Sequence, residues 1–177
     1  METLKTHIDK IIEVLKDPAL AGDSGKQAKI EKISRITEDA FDFAELSKRS
    51  LGQAWVQFSP QQQTEFVSLY KNLLKNAYAD KIVSYNNEKI EFGKEIPLSD
   101  TTAEIQTSIL TGAGPVPINY RMFKNGDQWR VYDVVIEGVS LINNYRTQFR
   151  EILAKNTPQG LIEILKKEVQ ENTKTQG

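Results

Sequence analysis

Apolar positions in the first segment fall at Ile8, Ile11, Ile12 and Leu15, the i, i+3, i+4, i+7 spacing that lays one stripe along a helix. Asp17-Pro18 and the small residues up to Gly25 end it. A second helix is expected over residues 27–40, with Ile30 and Ile33 inward. A third is expected over residues 43–58, where Asp42 can cap the free amides and Glu45 stands three residues on. Ser59-Pro60-Gln61-Gln62 is the clearest start signal in the chain: an N-cap serine, a proline at the first helical position and a glutamine able to return the capping bond. From there Phe66, Leu69, Tyr70, Leu73, Leu74, Ala77 and Tyr78 keep helical spacing to about Val83, giving a wide apolar face that needs covering.

After Asn86-Asn87 the period changes to two. Ile90, Phe92 and Lys94 alternate with Lys89, Glu91 and Gly93, and Ile105, Thr107 and Ile109 mark the next run. Residues 115–124 and 128–136 are joined at Asn125-Gly126, a strong hairpin signal that makes them antiparallel neighbours. The helical period returns over residues 140–155, with Leu141, Tyr145, Phe149 and Ile152 inward, and again from Thr157-Pro158 with Leu161, Ile164, Leu165 and Val169. Residues 171–177 are polar and read as a frayed tail. N-terminal helices, a four-stranded antiparallel sheet and C-terminal helices define an α+β class, and with no repeat or long linker residues 1–177 read as a single domain.

Composition narrows the function more than the fold. The 23 Lys and Arg against 24 Asp and Glu leave no net positive field for a nucleic-acid backbone. Cysteine is absent, which removes thiolate nucleophiles and Cys-ligated metals. No HExxH, His pair or Asp-rich loop suggests a metal, and no glycine-rich strand-to-helix turn suggests a phosphate loop, so neither metal nor cofactor is expected. No run approaches the roughly 18 apolar residues of a membrane span, and the first residues lack the apolar core of a signal peptide.

The sheet pattern is the functional clue. Val116, Ile118, Tyr120 and Met122 share one parity, and Phe123 stands on the other. In the partner strand, strict alternation puts Trp129, Val131 and Val135 on one side and Tyr132, Val134 and Ile136 on the other. Both faces then carry large apolar groups, unlike a sheet with one wet side. Such a sheet, curled with helices before and after it, encloses either packed core or a cavity, and periodicity does not separate the two.

Residues 131–149, running Val131-Tyr132-Asp133-Val134-Val135-Ile136-Glu137-Gly138-Val139-Ser140-Leu141-Ile142-Asn143-Asn144-Tyr145-Arg146-Thr147-Gln148-Phe149, resemble the signature of the toluene-tolerance family, the MlaC-type auxiliary proteins of phospholipid ABC transporters. Phe41-Asp42-Phe43 with Ser50-Leu51-Gly52, the stretch around Trp55 and Ser59-Pro60, Pro115-Val116-Pro117-Ile118-Asn119-Tyr120-Arg121, and Gly160-Leu161-Ile162 are similar to that family in the same order. The resemblance implies a nuclear-transport-factor-like half-cone whose apolar pocket takes the acyl chains of a phospholipid while the head group stays at the mouth. It implies a non-enzymatic periplasmic carrier, shuttling lipid between an outer-membrane lipoprotein complex and the substrate-binding ring of an inner-membrane ABC transporter, without stable membrane insertion.

For such a pocket the lining candidates are Phe66, Leu69, Tyr70, Leu73 and Tyr78 of the long helix, with Ile105, Ile109, Ile118, Tyr120, Val134, Ile136, Val139 and Leu141. Each is equally a candidate for plain core. Arg121, Tyr145 and Arg146 are the head-group candidates, since arginine grips phosphate with two parallel bonds. The alternative for Arg121 is a structural ion pair with Asp133 or Glu137. Gly93, Gly112, Gly114 and Gly138 are candidate bends or hinges. Two rival functions remain: an isomerase or dehydratase with Asp133 as base, against which the one histidine, His7, lies on the first helix, no second acid is set by spacing and Glu137 stands four residues on across a strand end, and a protein-interaction module whose apolar residues are all core.

Overall fold

A computed structural model describes residues 1–175. The chain forms two compact units, one of residues 1–42 and 81–141, the other of residues 43–80 and 142 to the C-terminus.

The first unit holds helices α1 (Glu2–Lys16) and α2 (Asp23–Ala40) and strands β1 (Lys89–Ser99), β2 (Thr102–Thr111), β3 (Gly114–Asn125), β4 (Gln128–Ile136) and β5 (Val139–Ser140). The strands form one antiparallel sheet in the order β1-β2-β3-β4-β5. It therefore has five strands rather than four, because a two-residue strand is too short for period two to register. A 3-10 turn, Pro18–Leu20, joins the two helices, and the Asp17 carboxylate accepts from the Ala19 amide at 2.9 Å to start it. α2 begins at Asp23, four residues before the expected start, and passes close to that turn. A Cβ on Gly25 would stand 2.2 Å from the Leu20 carbonyl oxygen, so this approach needs glycine.

Two irregularities correct the strand reading. Between the pairs Phe92↔Thr107 and Glu95↔Ile105 one extra residue enters β1, so Lys94 leaves the alternation set by Ile90 and Phe92. Between Arg121↔Asp133 and Met122↔Val131 an extra residue, Tyr132, enters β4. The bulge switches parity, placing Trp129 and Val131 on the same face as Val134 and Ile136. The large apolar groups of β4 thus gather mainly on one face, while Tyr132 and Val135 stay buried on the other, Tyr132 against Phe123 and beside the polar Arg121 and Asp133. α1 covers part of the apolar face, where Leu4 and Ile8 pack with Ile105, Met122 and Val131, flanked by Ile12, Phe41, Ile90, Phe92, Tyr120, Trp129 and Val134. Phe41 bridges in parallel to Val131 and the Asp42 amide donates to the Val131 carbonyl at 3.0 Å, tying the end of α2 to β4.

The second unit is helical: α3 (Phe43–Leu51), α4 (Pro60–Val83, its last three residues falling in the first unit), α5 (Leu141–Leu153, its first residue likewise) and α6 (Pro158–Thr175). The expected single helix over 43–58 stops at Leu51. Gly52 has φ +59°, and residues Gly52–Gln57 continue as a 3-10 segment. Ser59 caps α4 as expected: its Oγ accepts from the Gln62 amide at 3.2 Å, and Gln62 Oε1 accepts from the Ser59 amide at 3.0 Å. Residues 171–175, expected to fray, belong to α6; the same expectation for 176–177 lies outside the described residues.

Candidate functional site

The lining candidates divide between the units. On the apolar face of the sheet, register aligns Ile105, Tyr120 and Val134 across β2, β3 and β4, and Thr107, Ile118 and Ile136 in the next row. Ile109 and Val116 continue that face. Ile105 is 1% exposed, whereas Ile109, Ile118, Val134 and Ile136 are half-buried, so an apolar row beyond the α1-covered core keeps accessible surface. Tyr120 also keeps some accessible surface, yet burial pushes its phenol up to about 12. Val139, at the outer end of β5, is 59% exposed, and Leu141 is buried.

In the helical unit, Phe66 and Tyr70 are wholly buried in a cluster of five rings. Phe66 meets Phe58, Tyr70 and Phe149 at centroid distances of 5.7, 5.6 and 5.3 Å. Tyr70 meets Tyr145 and Phe149, both at 5.2 Å and close to edge-on. The Tyr70 hydroxyl shares a 3.0 Å hydrogen bond with Ser50, so the phenol enters this core satisfied. These two rings pack against protein on every side. Leu73 is buried, while Leu69 and Tyr78 are half-buried on the same helix. Burial raises the Tyr78 phenol, and it raises that of Tyr145 to about 12 with help from the nearby Tyr78 and Glu168.

The two arginine candidates have protein partners. Arg121 lies on the polar face of the sheet with Nε 3.1 Å from Glu104 and Nη1 3.3 Å from Asp133. Asp133, 1% exposed, also accepts from the Ser140 hydroxyl at 2.6 Å, and Glu104 accepts from Asn119 at 3.3 Å. Sequence reasoning missed Glu104 and Ser140 because only the register places Glu104 opposite Arg121 and Ser140 opposite Val135. Glu137, the other partner considered for Arg121, forms a two-residue turn with Gly138 between β4 and β5, with φ of 49° and 84°. Arg146 donates from Nε and Nη2 to the Arg49 carbonyl at 3.0 and 2.6 Å, and from Nη1 to Asn143 Oδ1 at 3.3 Å. It thereby satisfies a carbonyl at the C-terminal end of α3, where a cation also suits the helix dipole.

Two of the concavities among the described residues lie in the first unit. A broad open depression of about 790 Å³ is lined by Asp9, Ile12, Glu13, Val14, Lys16, Asp17 and Pro18, and holds none of the candidates. A void of about 30 Å³ is lined by Met1, Thr3, Glu95, Ala103, Ile105, Met122 and Trp129 and includes one of them, Ile105. Among the described residues no group of three or more His, Asp or Glu side chains could hold a metal, and no helix is long and apolar enough to cross a membrane.

This arrangement of helices and five-stranded sheet occurs in a solved protein from Ralstonia solanacearum, described as a phospholipid-binding protein in complex with a phospholipid. The two superpose with a TM-score of 0.85 at 24% identity over 97% of each chain, so they share a fold. A sequence profile of the MlaC protein family matches residues 5–167, and the chain belongs to that family. Among curated relatives, the intermembrane phospholipid transport system binding protein MlaC of Haemophilus influenzae is 29% identical over 110 residues, 59% of this chain. The toluene tolerance protein ttg2D of Pseudomonas putida is 23% identical over 135 residues, 75% of this chain. The aligned parts span 51% and 63% of those two relatives' own lengths.

Proposed function

We propose that this protein is a non-enzymatic phospholipid carrier. The family match over residues 5–167 carries the reading. The relatives' names speak of intermembrane phospholipid transport and toluene tolerance, and the Ralstonia protein of like fold was solved with a phospholipid. The chemistry required is burial rather than catalysis. At about 0.8 kcal/mol per methylene, two acyl chains of roughly fifteen carbons carry on the order of 24 kcal/mol of unfavourable exposure, which only an apolar enclosure offsets.

On this reading residues 1–177 act as one lipid-binding domain of nuclear-transport-factor-like half-cone type, working in the periplasm between an inner-membrane ABC transporter and an outer-membrane lipoprotein complex. The half-buried Ile109, Ile118 and Ile136 are the sheet residues best suited to meet acyl chains, because they combine one apolar face with remaining accessible surface. Of the three head-group candidates, Arg121 and Arg146 are held by protein acceptors, which leaves Tyr145. Asp133 suits a structural acceptor better than a base, being enclosed and bonded to Ser140 and Arg121.

Native mass spectrometry of the purified protein, followed by extraction and identification of bound lipid, tests the proposal. Co-purified phospholipid near one molecule per chain is expected. Protein that is repeatedly lipid-free and takes none from vesicles would leave an interaction module as the better reading.

A further inference from the structure

Two segments at one end of the helical unit carry no carboxylate. Residues 50–64 contain no charged side chain, although 47 of the 177 residues are Lys, Arg, Asp or Glu, and residues 152–162 contain only Lys155. These segments meet at the starts of α4 and α6, where Gln62 Nε2 donates to Gln159 Oε1 at 3.3 Å. Gln63 in turn donates to the Trp55 carbonyl at 3.0 Å, fixing the 3-10 segment against α4. At that segment's surface Val56 is 82% exposed, the most exposed of the large apolar side chains, and the neighbouring Trp55 is half-buried.

What borders this tip is also uneven in charge. Lys48 and Lys155 are exposed, as is Glu151 one turn before Lys155. Glu65 and Glu163 both lie on Lys166, at 2.7 and 3.4 Å, and Glu45 lies on Arg49 at 2.7 Å. Neither α4 nor α6 has an acidic residue in its first turn, so their positive dipole ends meet only neutral capping oxygens. The helical unit as a whole carries ten Lys and Arg against seven Asp and Glu, whereas the sheet unit carries 13 against 17.

We infer that the Trp55–Val56 tip is a docking surface for an anionic phospholipid bilayer. An exposed apolar tip beside a tryptophan is suited to the interface between head groups and acyl chains, where amphipathic rings reside. Glutamine amides can bond to lipid oxygens, and flanking lysines are drawn to a negative surface. The missing carboxylates favour a membrane over a protein partner: an anionic bilayer repels every carboxylate, whereas a protein surface can accommodate either sign. One valine and two lysines make a reversible touch, not an anchor.

Co-sedimentation tests this with vesicles of phosphatidylcholine alone and of an equal mixture with phosphatidylglycerol. The protein should pellet with the mixture at low salt, be released by high salt, and remain in solution with phosphatidylcholine. Val56→Asp should lower the bound fraction about tenfold, and Lys48→Glu with Lys155→Glu should remove the preference for the anionic vesicle. Both variants change exposed positions, and an unchanged thermal melt verifies the fold. Binding that Val56→Asp leaves intact, or binding only to native membranes still containing their proteins, would overturn the inference. Extraction of labelled lipid into the supernatant, measured in the same tubes, reports cargo uptake separately, so the carrier function and the docking surface can fail independently.

Discussion

Two phenols are held neutral by the fold. Tyr120 and Tyr145 are both raised from 10.0 to about 12, chiefly by burial. A group whose folded value lies above its unfolded one gives stability that is complete below the unfolded value and is lost as pH rises toward the folded value, because the folded chain keeps protons the unfolded chain gives up. The stability these two phenols contribute should therefore hold to about pH 10 and be lost between about pH 10 and 12. Tyr120→Phe should flatten part of that fall. Tyrosinate absorbance followed alongside denaturant unfolding checks this, and a fall identical in wild type and Tyr120→Phe would contradict it. Gly25 offers a steric test. With the Leu20 backbone 2.2 Å from any Cβ, Gly25→Ala must push the turn away from α2, and a loss of about 1–3 kcal/mol is expected in chemical denaturation. The opposite sign, the gain usual for Gly→Ala in a helix, would show that the turn yields easily. Arg121 separates two roles in one residue. Arg121→Gln should destabilise by about 1–3 kcal/mol, because the enclosed Asp133 would lose its Arg121 contact while keeping its Ser140 bond. A variant of unchanged stability that loses bound lipid would instead make Arg121 a head-group ligand.

At the scale of the element, helices announced themselves where capping and period agreed. The bounds of α4 follow from Ser59, Pro60 and Gln62, and the reciprocal capping bonds are present. Ser59→Ala should accordingly cost about 1 kcal/mol, read as a lower melting temperature. Where the backbone leaves the regular path, the apolar pattern was misleading. The positions after Leu51 kept helical spacing, yet Gly52 turns the chain into a 3-10 segment, and spacing does not encode φ. The β3–β4 hairpin was located correctly but shifted by one residue. Asn125 pairs with Gln128, which makes Gly126-Asp127 the turn, and the positive φ of 62° falls on Gly126, the first central position, where a type II′ turn requires it. The bulge at Tyr132 had the largest consequence. One inserted residue moved Trp129 and Val131 across the sheet to join Val134 and Ile136, leaving Tyr132 and Val135 buried on the other face. The polar network followed the same rule: the Arg121↔Asp133 pair depends on the Tyr132 bulge, Glu104 on the β2–β3 register and Ser140 on a strand too short to detect.

At the scale of the whole molecule, the candidate residues separate into those that hold the fold and those free to meet a ligand. Phe66 is wholly enclosed by other rings, and Phe66→Ala should remove about 3–5 kcal/mol with or without lipid. Ile136 is half-buried on the open part of the apolar face, so Ile136→Asp should spare most of the stability while reducing co-purified phospholipid severalfold. A ligand that binds only the folded state stabilises it by mass action, about 2.7 kcal/mol when present at a hundred times its dissociation constant. For a chain of this size that corresponds to a melting temperature about 5–10 °C higher for lipid-loaded than for stripped protein. The same comparison on Ile136→Asp should show this difference largely gone, and on Phe66→Ala it should persist from a lower baseline. If stripping leaves the wild-type melt unchanged, no cargo is coupled to folding, and the apolar row from Ile109 to Ile136 is exposed for some other reason. If stripping lowers the melt equally in all three proteins, lipid binds away from that row, and the half-buried residues of α4, Leu69 and Tyr78, become the next positions to substitute.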